Sequence, residues 1–202
     1  MKLSRELTTA GLAIVVLTVI LGVAYPLAMT GISQLVFPNK ANGSQVEVDG
    51  KVVGSKLIGK PFTLRGDKPD PRYFQPRPSN TDYSATATAF SNRGPNSIVA
   101  RFFYRDALAS SLALEGRYSP GLTAAKVPVD AVTTSASGVD PHISKANALI
   151  QAHRVASVRH LPVARVDQLI AANTDGRFLG VFGEPGVNVL ELNLALDKAA
   201  RR

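Results

Sequence analysis

Ala10-Gly-Leu-Ala-Ile-Val-Val-Leu-Thr-Val-Ile-Leu-Gly-Val-Ala24, continuing to Leu27, decides how the rest of the chain is read. It is the densest part of an uncharged run of 33 residues, positions 7 to 39, with Lys2, Arg5 and Glu6 before it and Lys40 after it. About 20 apolar residues cross a hydrocarbon core of roughly 30 Å. The run therefore predicts a transmembrane helix over about 7–27, which Pro26 kinks or ends, and Phe37-Pro38 marks where the chain leaves the membrane zone. A cleaved signal peptide is the competing reading, because Lys2 and Arg5 make a basic n-region and Gly22-Val23-Ala24 offers small residues for cleavage. Signal-peptide apolar regions run about 7 to 15 residues, so the greater length here favours a retained anchor. Gly11, Gly22 and Gly31, with Tyr25 and Pro26, are the positions where another helix could approach closely.

Lys2 and Arg5 also set orientation, since basic residues beside a span stay in the cytoplasm. The chain then divides into a membrane segment, 1–39, and a 163-residue domain, 40–202, on the outer side. The whole sequence of 202 residues carries 23 Lys+Arg against 15 Asp+Glu, a formal charge of +8. Such a balance raises nucleic acid or an anionic surface as partner. However, 35 of the 38 charged residues lie beyond position 39, dispersed rather than clustered, and the one adjacent basic pair is Arg201-Arg202. Nucleic-acid binding is accordingly not expected, and lipid headgroups near Lys40 are the more natural contact.

Within the outer part, Gln45-Val-Glu-Val-Asp-Gly-Lys-Val-Val53 alternates about Asp49-Gly50 and predicts a hairpin. Pro69, Pro71, Pro76 and Pro78 make residues 66–79 a surface loop anchored by Tyr73 and Phe74. Pro95 opens a predicted helix running to about Glu115, with Ile98, Phe102, Ala109 and Leu112 on its apolar face. A loop over 132–144 precedes a helix from Lys145 to about Arg159, with Ser144 as N-cap and Leu149, Ile150 and Val158 as its apolar positions. Pro162 opens the next helix, to Ala172, carrying Val163, Val166, Leu169 and Ile170. Leu190, Leu192, Leu194 and Leu196 alternate with polar or small residues and predict a strand with one buried face. The fold class is α+β: a single N-terminal transmembrane helix followed by a soluble α+β domain.

With zero cysteines, disulfides, thiol nucleophiles and Cys-based zinc or iron–sulfur sites are out. His153 and His160 lie seven apart without a convincing third ligand, so no metal site is expected. No Gly-x-x-x-x-Gly-Lys-Ser/Thr loop occurs, so the chain has no Walker-type phosphate cradle. Ser135, Ser137, Asp140 and His142 supply the residue types of nucleophilic catalysis, but neighbours in one loop seldom form a triad, and turn-capping is the simpler role. No catalytic residue and no intrinsic cofactor are expected.

Six segments in order resemble one family: Gly22-Val-Ala-Tyr-Pro-Leu27, Ala41-Asn-Gly-Ser44, Gly54-Ser-Lys-Leu-Ile-Gly59, Tyr73-Phe-Gln-Pro-Arg-Pro-Ser79, Val132-Thr-Thr-Ser-Ala-Ser-Gly-Val-Asp-Pro-His-Ile-Ser144 and Val187-Asn-Val-Leu-Glu-Leu-Asn-Leu-Ala-Leu-Asp197. Together they cover essentially the whole chain, which is similar to the KdpC family, the C subunits of the bacterial high-affinity potassium-transporting P-type ATPase. The family's Ser-Asn-Leu-Gly-Pro-Thr-Asn segment is altered here: Ser91, Asn92, Gly94 and Pro95 are kept, while positions 93, 96 and 97 differ.

The resemblance implies an accessory subunit of an inner-membrane complex whose other subunits hydrolyse ATP and conduct potassium, with the C subunit acting as a catalytic chaperone that raises ATP affinity. Candidate contacts with nucleotide or a partner subunit are Ser91, Asn92, Gly94, Pro95, Ser135, Ser137, Gly138 and Asp140. A periplasmic domain could not share a cytoplasmic nucleotide pocket, so the topology argues for the alternative, a cap or gate at the potassium entrance with no nucleotide contact.

Overall fold

The apolar run forms one helix from Lys2 to Val36, 35 residues long, in the computed structural model, which describes residues 2–89, 91–94 and 96–200. At about 1.5 Å per residue such a helix exceeds a 30 Å hydrocarbon core by several turns, so its ends reach the headgroup zones or it tilts. It is not uniform. α1 (Lys2–Val19) passes into a π-helical turn, Ile20–Ala24, where the Tyr25 N–H reaches back to the Ile20 carbonyl, and α2 (Tyr25–Val36) follows.

The expected stop at Pro26 is corrected, since the helix runs on through it. A proline inside a regular helix clashes with the carbonyl four residues back, here Gly22. A wider turn directly before it, at a residue without a side chain, relieves that clash and lets the helix continue. The helix breaks instead at Phe37 (φ −134°, ψ 54°), ahead of Pro38, and a short α3 (Pro38–Ala41) follows.

The chain divides into two compact units, Met1–Gln45 and Val46–Arg202. At their junction β1 (Gln45–Val48) and β2 (Lys51–Ser55) pair across Asp49-Gly50, whose positive φ values of 52° and 74° are those of a tight hairpin turn. Long loops then lead to α4 (Ile98–Glu115), and further loops with two 3₁₀ turns lead to β3 (His142–Ile143). α5 (Lys145–Arg159), α6 (Val163–Ala172), β4 (Thr174–Asp175), β5 (Gly186–Asn188) and α7 (Val189–Ala200) complete the domain. The sheet order is β3-β5-β4, antiparallel, with Ile143 and Thr174 both opposite Val187.

Ile143, Val187, Ala148, Ala152, Val155, Val166, Ile170, Leu192 and Leu196 form one core with Phe74, so the small sheet and α5, α6 and α7 share a single apolar interior. Ser144 caps α5 as expected, its hydroxyl accepting from the Asn147 N–H at 3.0 Å. Asp130 reinforces that cap, accepting from the Ser144 N–H and hydroxyl at 2.7 and 2.8 Å.

Three expectations are corrected. The strand expected at Leu190–Leu196 is helix α7. Val189, Leu192, Asn193 and Leu196, spaced three, four and seven, are its buried face, and Leu, Ala, Glu and Lys are good helix formers. In α4 the expected face is largely solvent-facing: Ile98 is 66% and Phe102 49% exposed, while the buried positions are Ala100 and Glu115. Apolar residues lie all around this helix, so periodicity alone does not choose the side. In α5, too, Leu149 is exposed and the buried face is Ala148, Ala152 and Val155 together with Asn147, Gln151 and Arg154.

Candidate functional site

The loop Tyr73–Ser79 is the hub on which the candidate segments converge. Its prolines cannot donate main-chain hydrogen bonds, so side chains from the helices serve the groups that remain. Asn193 of α7 acts as a surrogate strand: its Oδ1 accepts from the Phe74 N–H at 2.9 Å and its Nδ2 donates to the Phe74 carbonyl at 3.0 Å. Gln151 of α5 does the same for Gln75, at 2.7 and 3.1 Å. Gln75 in turn donates to the carbonyls of Phe62 and Asp70.

Arg154 is fully buried and closes this lattice. Its Nε donates to Glu115 at 2.9 Å, its Nη1 to the carbonyls of Pro71 and Tyr73 at 2.6 and 2.9 Å, and its Nη2 to Gln151 at 2.9 Å. Burial pushes the Glu115 carboxyl above its usual range, and the Arg154 guanidinium pulls it back only in part. At the far edge Arg159 lies 4.5 Å over the Tyr73 ring and holds Asp197 at 2.8 Å. An open cleft of about 1230 Å³ separates this loop from α4, lined by Pro69, Pro76, Pro78, Leu114 and Glu115 among others.

The serine-rich loop rests on the other end of the hub. Gly138 is buried at φ 74°, and a side chain there would meet the Thr81 hydroxyl at 2.7 Å. The Ser79 hydroxyl donates to the Gly138 carbonyl at 2.6 Å. Buried Ser135 accepts from the Gly138 N–H at 2.9 Å, and Ser137 from the Val139 N–H at 3.2 Å, so both hydroxyls hold their own turn. Gly59 packs against this loop, its N–H donating to the Val139 carbonyl at 2.7 Å.

Arg77 reaches across to Asp140 at 3.3 Å and to the Thr134 carbonyl at 3.2 Å. Burial pushes Asp140 up, but the His142 ring 3.7 Å away, the His142 N–H that donates to it and the Arg77 charge together hold it below the usual carboxylate range. The His142 ring is held above the ordinary histidine value by Asp140 and, against the opposing effect of burial, by Asp175, whose carboxylate lies 3.0 Å from Nε2. The Ser135 hydroxyl and the His142 ring thus serve different partners. Burial also raises the Tyr83 phenol, which donates to the Arg77 carbonyl.

Of the second predicted loop, Ser91 is half-buried, Asn92 and Gly94 are exposed, and Pro95 lies outside the described residues. Arg93 between them stacks 3.8 Å over the Phe103 ring and donates to Asn80 at 3.4 Å, so this loop meets the same 79–81 segment that holds Gly138. Gln75, Glu115, Gln151, Arg154 and Asn193 are the buried framework holding the candidate loop that the sequence reading missed. The available signal was a polar residue amid apolar ones, Asn193 in Leu-Asn-Leu above all.

In the apolar helix Gly22 lies in the π turn, with Tyr25 and Pro26 directly after that turn, and Gly11 lies about three turns before Gly22 with open space around it. His153 is exposed, and His160 ends α5 in a left-handed conformation (φ 54°). Among the described residues, no group of three or more His, Asp or Glu is placed to hold a metal ion.

These features define a class: a protein with a long apolar N-terminal helix and an α+β domain organised around a proline-rich loop stitched down by buried side chains. Residues 7–198 match the family profile described as KdpC: K+-transporting ATPase, c chain. The chain is 51% identical to the potassium-transporting ATPase KdpC subunit of Polaromonas naphthalenivorans over 90% of its own length and 89% of the relative's. It is 49% identical to that of Methylococcus capsulatus, over 92% and 94%. For Bradyrhizobium diazoefficiens the identity is 46%, over 98% and 99%. The chain belongs to the KdpC family.

Proposed function

We propose that this chain is a non-catalytic accessory subunit of an ATP-driven potassium uptake complex in the bacterial inner membrane. One span holds it, with the N-terminus in the cytoplasm and residues 40–202 in the periplasm. The observation that carries the reading is a near full-length family match joined to a helix with none of its apolar window buried, a surface that only lipid or other spans can cover. The partners are the ATP-hydrolysing and channel-like subunits. The span packs beside them at Gly11, Gly22, Tyr25 and Pro26, and the outer domain caps or gates the potassium entrance. ATP and potassium are handled by the complex.

A rise in the ATP affinity of the hydrolysing subunit, the catalytic-chaperone role, is then exerted by linkage: a subunit that binds one conformation of the complex more tightly favours the ligands of that conformation. The second reading, direct nucleotide contact by the loops at 91–95 and 135–140, is disfavoured because Ser135 and Ser137 already serve their own turn. Contact with a partner subunit fits those loops better.

Membrane sidedness tests both readings. The chain has no cysteine, so Ala136→Cys, at an exposed site in the serine loop, gives one reporter thiol. Labelling by an impermeant maleimide in intact spheroplasts is the expected result. Labelling only in inverted vesicles would place the loop on the ATP side and overturn the proposal.

A further inference from the structure

Between β4 and β5 the chain presents a run of four strongly exposed large apolar side chains within five residues. Phe178 is 72%, Leu179 76%, Val181 71% and Phe182 63% exposed. Contiguous apolar exposure of this kind on a water-facing domain marks an interaction site.

The segment is built, not loose. Phe178 and Phe182 bridge each other in antiparallel fashion, the Phe178 N–H donating to the Phe182 carbonyl at 2.8 Å and the Phe182 N–H to the Phe178 carbonyl at 2.9 Å. Arg177 and Glu184 close the neck at 2.8 Å. The turn between them is the telling detail. Leu179 sits at φ 52° and Gly180 at φ 74°. The first of these is a left-handed conformation that Gly, Asn or Asp adopts easily and that costs a leucine steric strain. A strained residue that is also the most exposed large apolar side chain of the described domain, 76% exposed where nothing in the fold requires it, points to a contact made by that side chain.

The chemistry selects a protein pocket over a lipid surface. Segments that lie in a bilayer interface carry Lys, Arg and Trp around their apolar residues. Here the charged residues from 175 to 184 are Asp175, Arg177 and Glu184, net negative, with Arg177 already paired, and the chain has no Trp. Preorganisation points the same way, since a knob fixed by its own bridge and ion pair loses little freedom on entering a complementary cavity. Four such side chains cover less than the roughly 800 Å² that one partner contributes to a standard interface, so the tip is an anchor within a larger contact.

We infer that the tip Phe178–Phe182 is the outer domain's docking knob for an apolar pocket on another protein subunit of the transport complex. The inference rests on complex membership and adds the surface that makes the contact.

The test uses the tagged full chain, expressed with the transport subunits and purified in mild detergent. Leu179→Asn and the double variant Phe178→Ser/Phe182→Ser are expected to retain at least tenfold less transport subunit than the parent chain. Leu179→Asn is also expected to leave the thermal transition of the chain unchanged or raise it, because asparagine tolerates the left-handed turn, so lost binding is not lost folding. Undiminished retention by both variants overturns the inference alone. A parent chain that retains no transport subunit overturns complex membership and the inference with it. A photoreactive phenylalanine analogue introduced at position 179 in the assembled complex is expected to give an adduct with a transport subunit. Adducts with lipid alone, or with a second copy of this chain, would overturn the assignment.

Discussion

From Lys2 to Val36 no described residue is buried, and the large apolar side chains face outward along the whole helix: Leu12 is 63%, Ile14 67% and Leu27 67% exposed. From Val46 onward the arrangement is reversed and complicated, because Asp70, Glu115, Asn147, Gln151, Arg154, Asn188 and Asn193 are buried alongside the apolar core. The difference follows from where each unit's backbone finds its hydrogen bonds. A helix satisfies its main chain internally, so its side chains can all be apolar and face lipid. A loop with four prolines between positions 69 and 78 cannot, and the domain must bring polar side chains inside to serve it. Much of the polar burial in the second unit thus serves the proline-rich loop.

The comparison breaks first at Arg154. Replacing it with Met strips Glu115 of its counter-charge and Pro71, Tyr73 and Gln151 of their donors, and leaving a buried charge unpaired costs about 3–5 kcal/mol. Urea or thermal denaturation of the detergent-solubilised chain should show that loss. Adding Glu115→Gln should recover a large part of it, because the uncompensated charge is the main penalty. A single variant as stable as the parent would mean that the side chains do not hold the loop.

The next test strikes the other unit. Leu17→Arg, near the middle of the apolar helix, puts a charge where insertion costs roughly 2.5–3.5 kcal/mol. The expected outcome is a shift of the chain from the alkali-resistant to the extractable membrane fraction. The denaturation transition of the unit from Val46 onward should stay in place. Together the two variants separate what lipid stabilises from what the buried lattice stabilises.

How much of this was legible beforehand depends on whether the signal was local. The hairpin at Asp49-Gly50, the Ser144 cap and the Val166/Ile170 face of α6 are short-range rules, and each holds. The span was evident from the uncharged run, but not its length, since a π turn absorbing Pro26 depends on backbone geometry that composition does not encode. Leu190 to Leu196 fits period two and period 3.6 alike over seven residues, and only Asn193, reaching Phe74 119 positions away, tells them apart. The Ser135–Asp140 loop was singled out correctly as a turn, but its partners Ser79, Thr81 and Arg77 are 57 to 63 residues distant. Long-range polar pairing leaves no period in a sequence. That is why the lattice on Arg154 and Gln151 was invisible, although its members are ordinary residues.

The smallest effect is also the one that tests the rim of the lattice rather than its centre. His142 lies between Asp140 and Asp175 with its ring 36% exposed, and Asp175 is 69% exposed, so solvent screens much of the attraction and the contribution stays below about 1 kcal/mol. Its sign is nonetheless fixed. The folded state raises the His142 pKa above 6.5, so it binds the proton more tightly than the unfolded chain does. The stabilisation is complete below that value and fades as pH rises through the raised folded pKa. Asp140, held below its ordinary 3.8, acts in the opposite direction: its contribution is present above that value and is lost as pH falls through the lowered pKa. Both charges therefore support the fold together only in the mildly acidic window between those two titrations. Thermal melts of the parent chain should shift downward by a small amount as pH rises from about 6 to 9, while His142→Gln should flatten that slope and leave the Arg154 lattice intact. An unchanged slope in His142→Gln would assign the pH dependence to another group and remove His142 from the clasp that holds β3 to β4.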